Sequence, residues 1–258
     1  MRFKLMFIAA LLTVAVAAVQ VCAQEEPVRV TEGLVVLYQF DEGDGDIVQD
    51  KSGVGVPLDL KINDFPSVSW LPGGGLEILM AGVALRPEQP ATKIFDALHE
   101  SNEFTIEADI SPKDDTQEGP VRIVSFSLDP SSRNFTLGQS KTQYIMRLRT
   151  TETNTNGMPE AMTDENYVEA ARQHVAVTYA QGRVRIYVDG ELKHEAKRPG
   201  DLSNWDESYG FVIANENTLD RSFLGQLFLV AVYDRALTRE EIEQNFAARA
   251  RPLEAQAG

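Results

Sequence analysis

Two carboxylates, Glu107 and Asp109, stand two residues apart in the segment Phe104-Thr105-Ile106-Glu107-Ala108-Asp109-Ile110. Strict alternation of apolar and polar residues predicts a β-strand, with Phe104, Ile106, Ala108 and Ile110 inward and Thr105, Glu107 and Asp109 together on the other face. A carboxylate pair on one face can flank a glycosidic bond, one member acting as acid and the other as nucleophile. Strands that carry this chemistry place a further Glu close behind the pair, and here Ile110-Ser111-Pro112-Lys113 follows. The catalytic set is incomplete, and a solvated polar face is the better reading.

The remaining chemistry-bearing residues are scattered. Asp41-Glu42-Gly43-Asp44-Gly45-Asp46 is dense in carboxylates, and Asp50 and Ser52 follow at a second turn. Such oxygens could join a Ca²⁺ shell of about six to eight ligands. The spacing is not that of an EF-hand loop, and turn chemistry alone explains the residue types. Arg147 and Arg149 share a strand face, where they could meet an acidic ligand or pair with nearby carboxylates. Trp205 sits in the polar loop 201–208 and could stack on a sugar ring or cover a sheet edge. The segment Thr151 to Asn166 has no periodicity and is either a binding feature or mobile. Asn134-Phe135-Thr136 is a glycosylation sequon. His99, His174 and His194 have no carboxylate in a triad-like order, and there is neither a Cys/His cluster for zinc nor a phosphate-cradling glycine loop.

The elements that would position these residues are short strands. Gln173 to Glu195 alternates Val175, Val177, Tyr179, then Val184, Ile186, Val188 across a turn at Ala180-Gln181-Gly182, and Asp189-Gly190 begins a second tight turn. Three antiparallel strands in a row predict a meander. A two-residue turn there sets Val188 opposite Glu191 and Tyr187 opposite Leu192, so either both faces are partly covered or a bulge shifts the register. Gly33 to Phe40 is apolar on both faces, and turns at roughly ten-residue intervals suit a sandwich. Ala91 to Ser101 is predicted as one or two helical turns, with Ile94, Phe95 and Leu98 on one side. Thr238 with Glu241 three residues on forms a capping box for a C-terminal helix that puts Ile242 and Phe246 on one side.

Composition bounds the function. Asp plus Glu number 39 against 24 Lys plus Arg, a net charge of −15 over 258 residues, which disfavours nucleic acid or anionic lipid as partner. Arg2 and Lys4, the apolar run Leu5 to Val19 and Val21-Cys22-Ala23 before Gln24 have the layout of a secretory leader over residues 1–23. The run is short for a membrane span, and Val19-Gln20-Val21 before Cys22 lacks a lipobox. The expected organisation is a linker over 24–32, one domain over 33–250, and a disordered tail over 251–258. A secreted or periplasmic location follows, with no membrane span after the leader is removed.

Three blocks, GLVVLYQFDEGDGDIVQDKSG, HVAVTYAQGRVRIYVDGEL and FLGQLFLVAVYDRALTREEIEQNF, together resemble the bacterial laminin-G-like jellyroll domains of the concanavalin A-like lectin/glucanase superfamily. The resemblance implies an all-β fold, a two-sheet antiparallel jelly-roll sandwich with a short C-terminal helix and neighbouring chain ends. It also implies a structural Ca²⁺ near the first and last strands, for which Asp41, Asp50 and Asp234 are the candidate ligands. Trp205, Arg147 and Arg149 are the candidate ligand-binding residues. The function expected is a non-catalytic exported recognition module that binds carbohydrate or an extracellular protein. The alternative is a polysaccharide-active hydrolase or lyase using Glu107 and Asp109.

Overall fold

The fold is that of a computed structural model, which describes residues 27–249. The leader read over residues 1–23 and the tail read over 251–258 lie outside the described residues. In chain order the strands are β1 (Leu34–Tyr38), β2 (Ile47–Val48), β3 (Leu60–Ile62), β4 (Val68–Trp70), β5 (Leu76–Ile78), β6 (Leu85–Arg86), β7 (Phe104–Pro112), β8 (Val121–Asp129), β9 (Ser132–Ser140), β10 (Gln143–Leu148), β11 (Ala161–Met162), β12 (Gln173–Ala180), β13 (Arg183–Val188), β14 (Glu191–Lys197), β15 (Gly210–Ile213) and β16 (Gly225–Tyr233). Helix α1 (Thr92–Ser101) lies between β6 and β7, and α2 (Arg239–Ala247) follows β16.

The strands form two antiparallel sheets in a jelly-roll sandwich. The first runs β14-β13-β12-β7-β16-β5-β4 with β1 also on β16, and the second runs β11-β10-β9-β8-β15-β6-β3-β2. Phe104, Ile106, Ala108 and Ile110 of β7 enter the core between the sheets, as their alternation predicts. They meet Phe126 and Phe135 from the second sheet, with Phe104 and Phe135 ring centroids 5.9 Å apart. The meander forms as expected: Gln181 and Gly182 have φ of 50° and 70°, and Asp189 and Gly190 have 51° and 80°. These paired positive values are those of a two-residue hairpin turn whose twist matches the strands. Val188 faces Glu191 and Tyr187 faces Leu192, after which a bulge brings Ile186 opposite His194.

A second, smaller core lies outside the first sheet. Leu34 and Leu37 of β1, Ala176 of β12, Tyr187 of β13, Leu229, Ala231 and Tyr233 of β16, Leu237, and Ile242 of α2 compose it. This explains why β1 is buried on both faces. Helix α2 is fixed at its start by the capping box, Glu241 N donating to Thr238 Oγ1 at 3.2 Å and Thr238 N to Glu241 Oε2 at 2.8 Å. The expected linker is corrected here for its described part, because residues 27–32 form a strap on α2. Gln244 Nε2 donates to Val28 O at 2.6 Å, Val30 N to Asn245 Oδ1 at 2.8 Å, and Tyr233 Oη to Val30 O at 3.0 Å. The two ends of the described chain are therefore neighbours.

Candidate functional site

The strap and α2 decide the fate of the carboxylate pair. Glu107 and Asp109 do share the outer face of β7, but the solvated face predicted for them is wrong: both are 0% exposed. Asn245 Nδ2 of α2 donates to both oxygens of Glu107 at 3.0 and 3.1 Å, and the Arg29 guanidinium of the strap pairs with Oε2. His174 Nε2 lies 3.3 Å from Oε1, an electrostatic contact rather than an aligned hydrogen bond. Burial alone would raise the Glu107 carboxyl; His174, Arg29 and Asn245 outweigh it and bring it down to about 2. Asp109 is clamped by Arg172, whose Nε donates at 3.0 Å and whose second nitrogen donates at 2.7 Å, while the guanidinium lies 4.1 Å from the Phe228 ring centre. Asp109 borders a hollow of about 300 Å³ that Glu107 does not line. An acid held ionised and covered is not poised to protonate a leaving group, so the geometry gives the enzymatic alternative no support.

The three proposed metal ligands are not assembled. Asp41 pairs with Lys51. Asp234 lies at the end of β16, where partial burial raises its carboxyl above the ordinary range. Asp50 is saturated: it accepts from the amides of Leu37 at 3.2 Å, Ser52 at 3.0 Å and Leu58 at 3.1 Å, and from Lys93 Nζ at 2.6 Å. Burial would raise this carboxyl too, but the Lys93 ammonium and the amides of Ser52 and Leu58 hold it below the ordinary value. Lys93 supplies the positive charge that an ion would bring, so these residues do not fit a Ca²⁺ site, and no group of three or more His, Cys, Asp or Glu is disposed for a metal among the described residues. Asp50→Asn is expected to lower unfolding free energy by about 2 kcal/mol, the scale of a buried charge-assisted hydrogen bond. Denaturant titration should give the same loss in Ca²⁺ and in chelator; a Ca²⁺-dependent melting rise that Asp50→Asn abolishes would overturn this reading.

On the second sheet the three ligand candidates part company. Trp205 is a core residue, 6% exposed, within 5.8 Å of Phe135 and 6.1 Å of Phe104 by ring centroids, and its Nε1 donates to Arg149 O at 2.8 Å. It is not available to a sugar, which corrects that expectation. Arg147 takes the pairing alternative, with Glu160 at 2.7 Å. Arg149 has no carboxylate within 4 Å among the described residues and instead donates to Tyr209 Oη at 3.5 Å. The segment 151–166 is packed on the sheet rather than projecting: Arg133 N donates to Thr155 O, and β11 within it pairs with β10. The sequon is closed as well, since buried Asn134 donates from Nδ2 to Asp206 O at 2.9 Å and accepts from Asp206 N.

Arg149 and Tyr209 lead to a groove that no sequence signal announced. It lies between the β6–α1 connection and the entry to β15, encloses about 650 Å³, and is lined by Arg86, Gln89, Thr92, Tyr209, Phe211 and Asn217 among others. Its size falls in the usual range for a small-ligand site. Phe211 is buried beneath it, Tyr209 is half-buried and packs against the core, and Gln89 and Thr92 are exposed at the rim. Arg86 donates to Asn217 Oδ1 at 3.3 Å, its Nε is out of solvent without a partner, and burial lowers its pKa with no carboxylate to restore it. The only hint in the sequence is Arg86-Pro87-Glu88-Gln89-Pro90, a proline-bracketed polar stretch that fixes an extended rim.

A family model described as the concanavalin A-like lectin/glucanases superfamily matches residues 88–243, and the chain belongs to that superfamily. No curated protein matches the sequence. Among solved structures, the binding domain of botulinum neurotoxin serotype C1 is similar at TM-score 0.61 and 11% identity, over 86% of this chain and 53% of that one. The binding domain of botulinum neurotoxin DC in complex with rat synaptotagmin II is similar at TM-score 0.60 and 12% identity, over 85% of this chain and 52% of that one. Trypanosoma rangeli sialidase in complex with the inhibitor DANA is similar at TM-score 0.60 and 18% identity, over 90% of this chain and 35% of that one. At these identities the likeness is one of fold, and the chain spans about half the toxin domains and about a third of the sialidase.

Proposed function

We propose that this chain is a non-catalytic, exported recognition module that binds carbohydrate or an extracellular protein through the groove of Tyr209 and Arg86. The observation that carries the reading is the contrast between two polar sites: Glu107 is covered and neutralised by its neighbours, while the groove stays open with an aromatic ring and an unpaired guanidinium on its wall. Export rests on the leader read over residues 1–23. No helix among the described residues is long and apolar enough to cross a membrane.

A glycan array and a pull-down of extracellular proteins, with wild type beside Tyr209→Ala, test the proposal. Saturable binding is expected in wild type, and loss of the ring should weaken it by about tenfold, the scale of an aromatic contact of roughly 1.4 kcal/mol. Absence of any saturable ligand at millimolar concentration would overturn it, as would binding indifferent to Tyr209→Ala in a variant whose melting profile shows it folded.

A further inference from the structure

Arginine partners are plentiful in a chain of net charge −15. Eleven of the described arginines stand within 4 Å of a carboxylate. Arg86, Arg149 and Arg198 alone among them do not. Two of these three meet at one place, since Arg86 lines the groove and Arg149 reaches the hydroxyl of Tyr209 on its wall. A half-buried guanidinium has lost part of its hydration, and only a neutral amide oxygen, Asn217 Oδ1, is offered in return. Such a group is a receptor for an acceptor that arrives from outside, because a carboxylate restores both charge and the paired hydrogen bonds of the guanidinium fork.

The rest of the groove narrows the ligand. Tyr209 lines the same groove as Arg86, and an aromatic ring is the group that takes the apolar face of a sugar. Gln89, Asn217 and Ser208 supply amide and hydroxyl groups suited to sugar hydroxyls. The opening of α1, which has no side-chain cap and no acidic residue in its first turn, faces the same space at Ala91 and Thr92. Glu88 and Glu207 stand exposed on the rim, and Glu88 is drawn 3.4 Å from Lys61 rather than to Arg86. These rim carboxylates repel a polymer with charge all along it, such as a nucleic acid or a heavily sulfated chain. They leave room for a ligand whose single negative group enters beside Arg86.

We propose that the groove binds a saccharide carrying a carboxylate, with Arg86 receiving the carboxylate, Tyr209 stacking on the ring and Gln89 and Asn217 meeting hydroxyls. This rests on the recognition reading above and names its ligand class. The test is calorimetric titration of the full chain with galacturonate and its methyl ester, and with sialyllactose and lactose, which separates a uronic acid from a sialic acid as the source of the charge. At least one acidic member should bind about tenfold or more tightly than its neutral counterpart, and added salt should shrink the difference. Arg86→Gln should abolish that preference without lowering the melting temperature, because it removes a desolvated charge that has no internal carboxylate partner. Arg86→Lys should keep part of the preference. Neutral sugars bound as tightly as acidic ones, with Arg86→Gln silent, would overturn the assignment of Arg86 and leave the recognition module standing. Capture of a protein partner with no saccharide bound would overturn the ligand class alone. Neither saccharide nor protein bound would overturn both.

Discussion

Glu107→Gln is expected to destabilise the protein by about 3–5 kcal/mol, the cost of removing one partner from a buried ion pair. The carboxylate is the hub of a polar cluster sealed by two separate segments, Arg29 from the strap and Asn245 from α2. Its loss leaves the Arg29 guanidinium without a carboxylate partner among the described residues, with the neutral Tyr233 Oη at 3.3 Å as a remaining acceptor. The same carboxylate sets an acid limit on stability. Its folded value of about 2 lies below the ordinary 4.5. A depressed carboxylate contributes stability that is fully present above the ordinary value and fades as pH falls through the folded one. Between pH 4.5 and 2 the wild type should therefore lose on the order of 3 kcal/mol that Glu107→Gln does not lose. Denaturant titrations of both proteins across that window measure it: the two stability curves should converge toward low pH, and parallel curves would overturn the assignment.

The fate of this pair also shows where sequence reasoning reaches its limit. Alternation along β7 correctly assigns which residues share a face, because strand geometry has a period of two. It does not say what lies on that face. The covering elements come from the far ends of the chain, Val30 and Asn245 being 215 residues apart, and no local pattern encodes their docking. The clue available was on the neighbouring strands: Ala176 and Ala231 flank Glu107 in register, and small apolar residues beside a carboxylate mark a face meant to be covered. Turns and caps, whose causes are local, were readable from residue type, as Asp189-Gly190 and Thr238 with Glu241 show. Trp205 shows the opposite limit. Its loop is polar in sequence, yet Leu202 and Trp205 fold inward while Asp201, Ser203 and Ser208 hold the backbone outside. The groove was invisible because its wall is assembled from β6, the start of α1, the entry to β15 and the turn at Asn217, each contributing one or two residues.

Glu216→Gln should produce a loss of similar size on the other sheet, about 3–5 kcal/mol. Cross-strand pairing of Val212 with Ser125, Ser125 with Thr136, and Thr136 with Arg147 lays out the outer face of that sheet. Arg122 and Arg133 lie fully buried beside this row, and Glu216 is the carboxylate they share, with Arg122 Nε at 2.9 Å and an Arg133 nitrogen at 3.8 Å. Burial lowers both guanidiniums from the ordinary arginine value, and repulsion from Arg122 lowers Arg133 further. Neutralising Glu216 leaves two buried cations without compensation. Arg133→Met in the same background should restore part of the loss, since an apolar side chain of similar length removes the stranded charge, and a double-mutant cycle by denaturant unfolding measures the coupling. The cluster bears on binding as well. Glu216 Oε1 accepts from Asn217 N at 3.0 Å, and Asn217 in turn accepts from Arg86. Glu216 is thus a positioning residue for the groove: folded Glu216→Gln should weaken acidic-saccharide binding less than Arg86→Gln does, and equal or greater weakening would show that the placement of Asn217, rather than the charge of Arg86, sets the affinity.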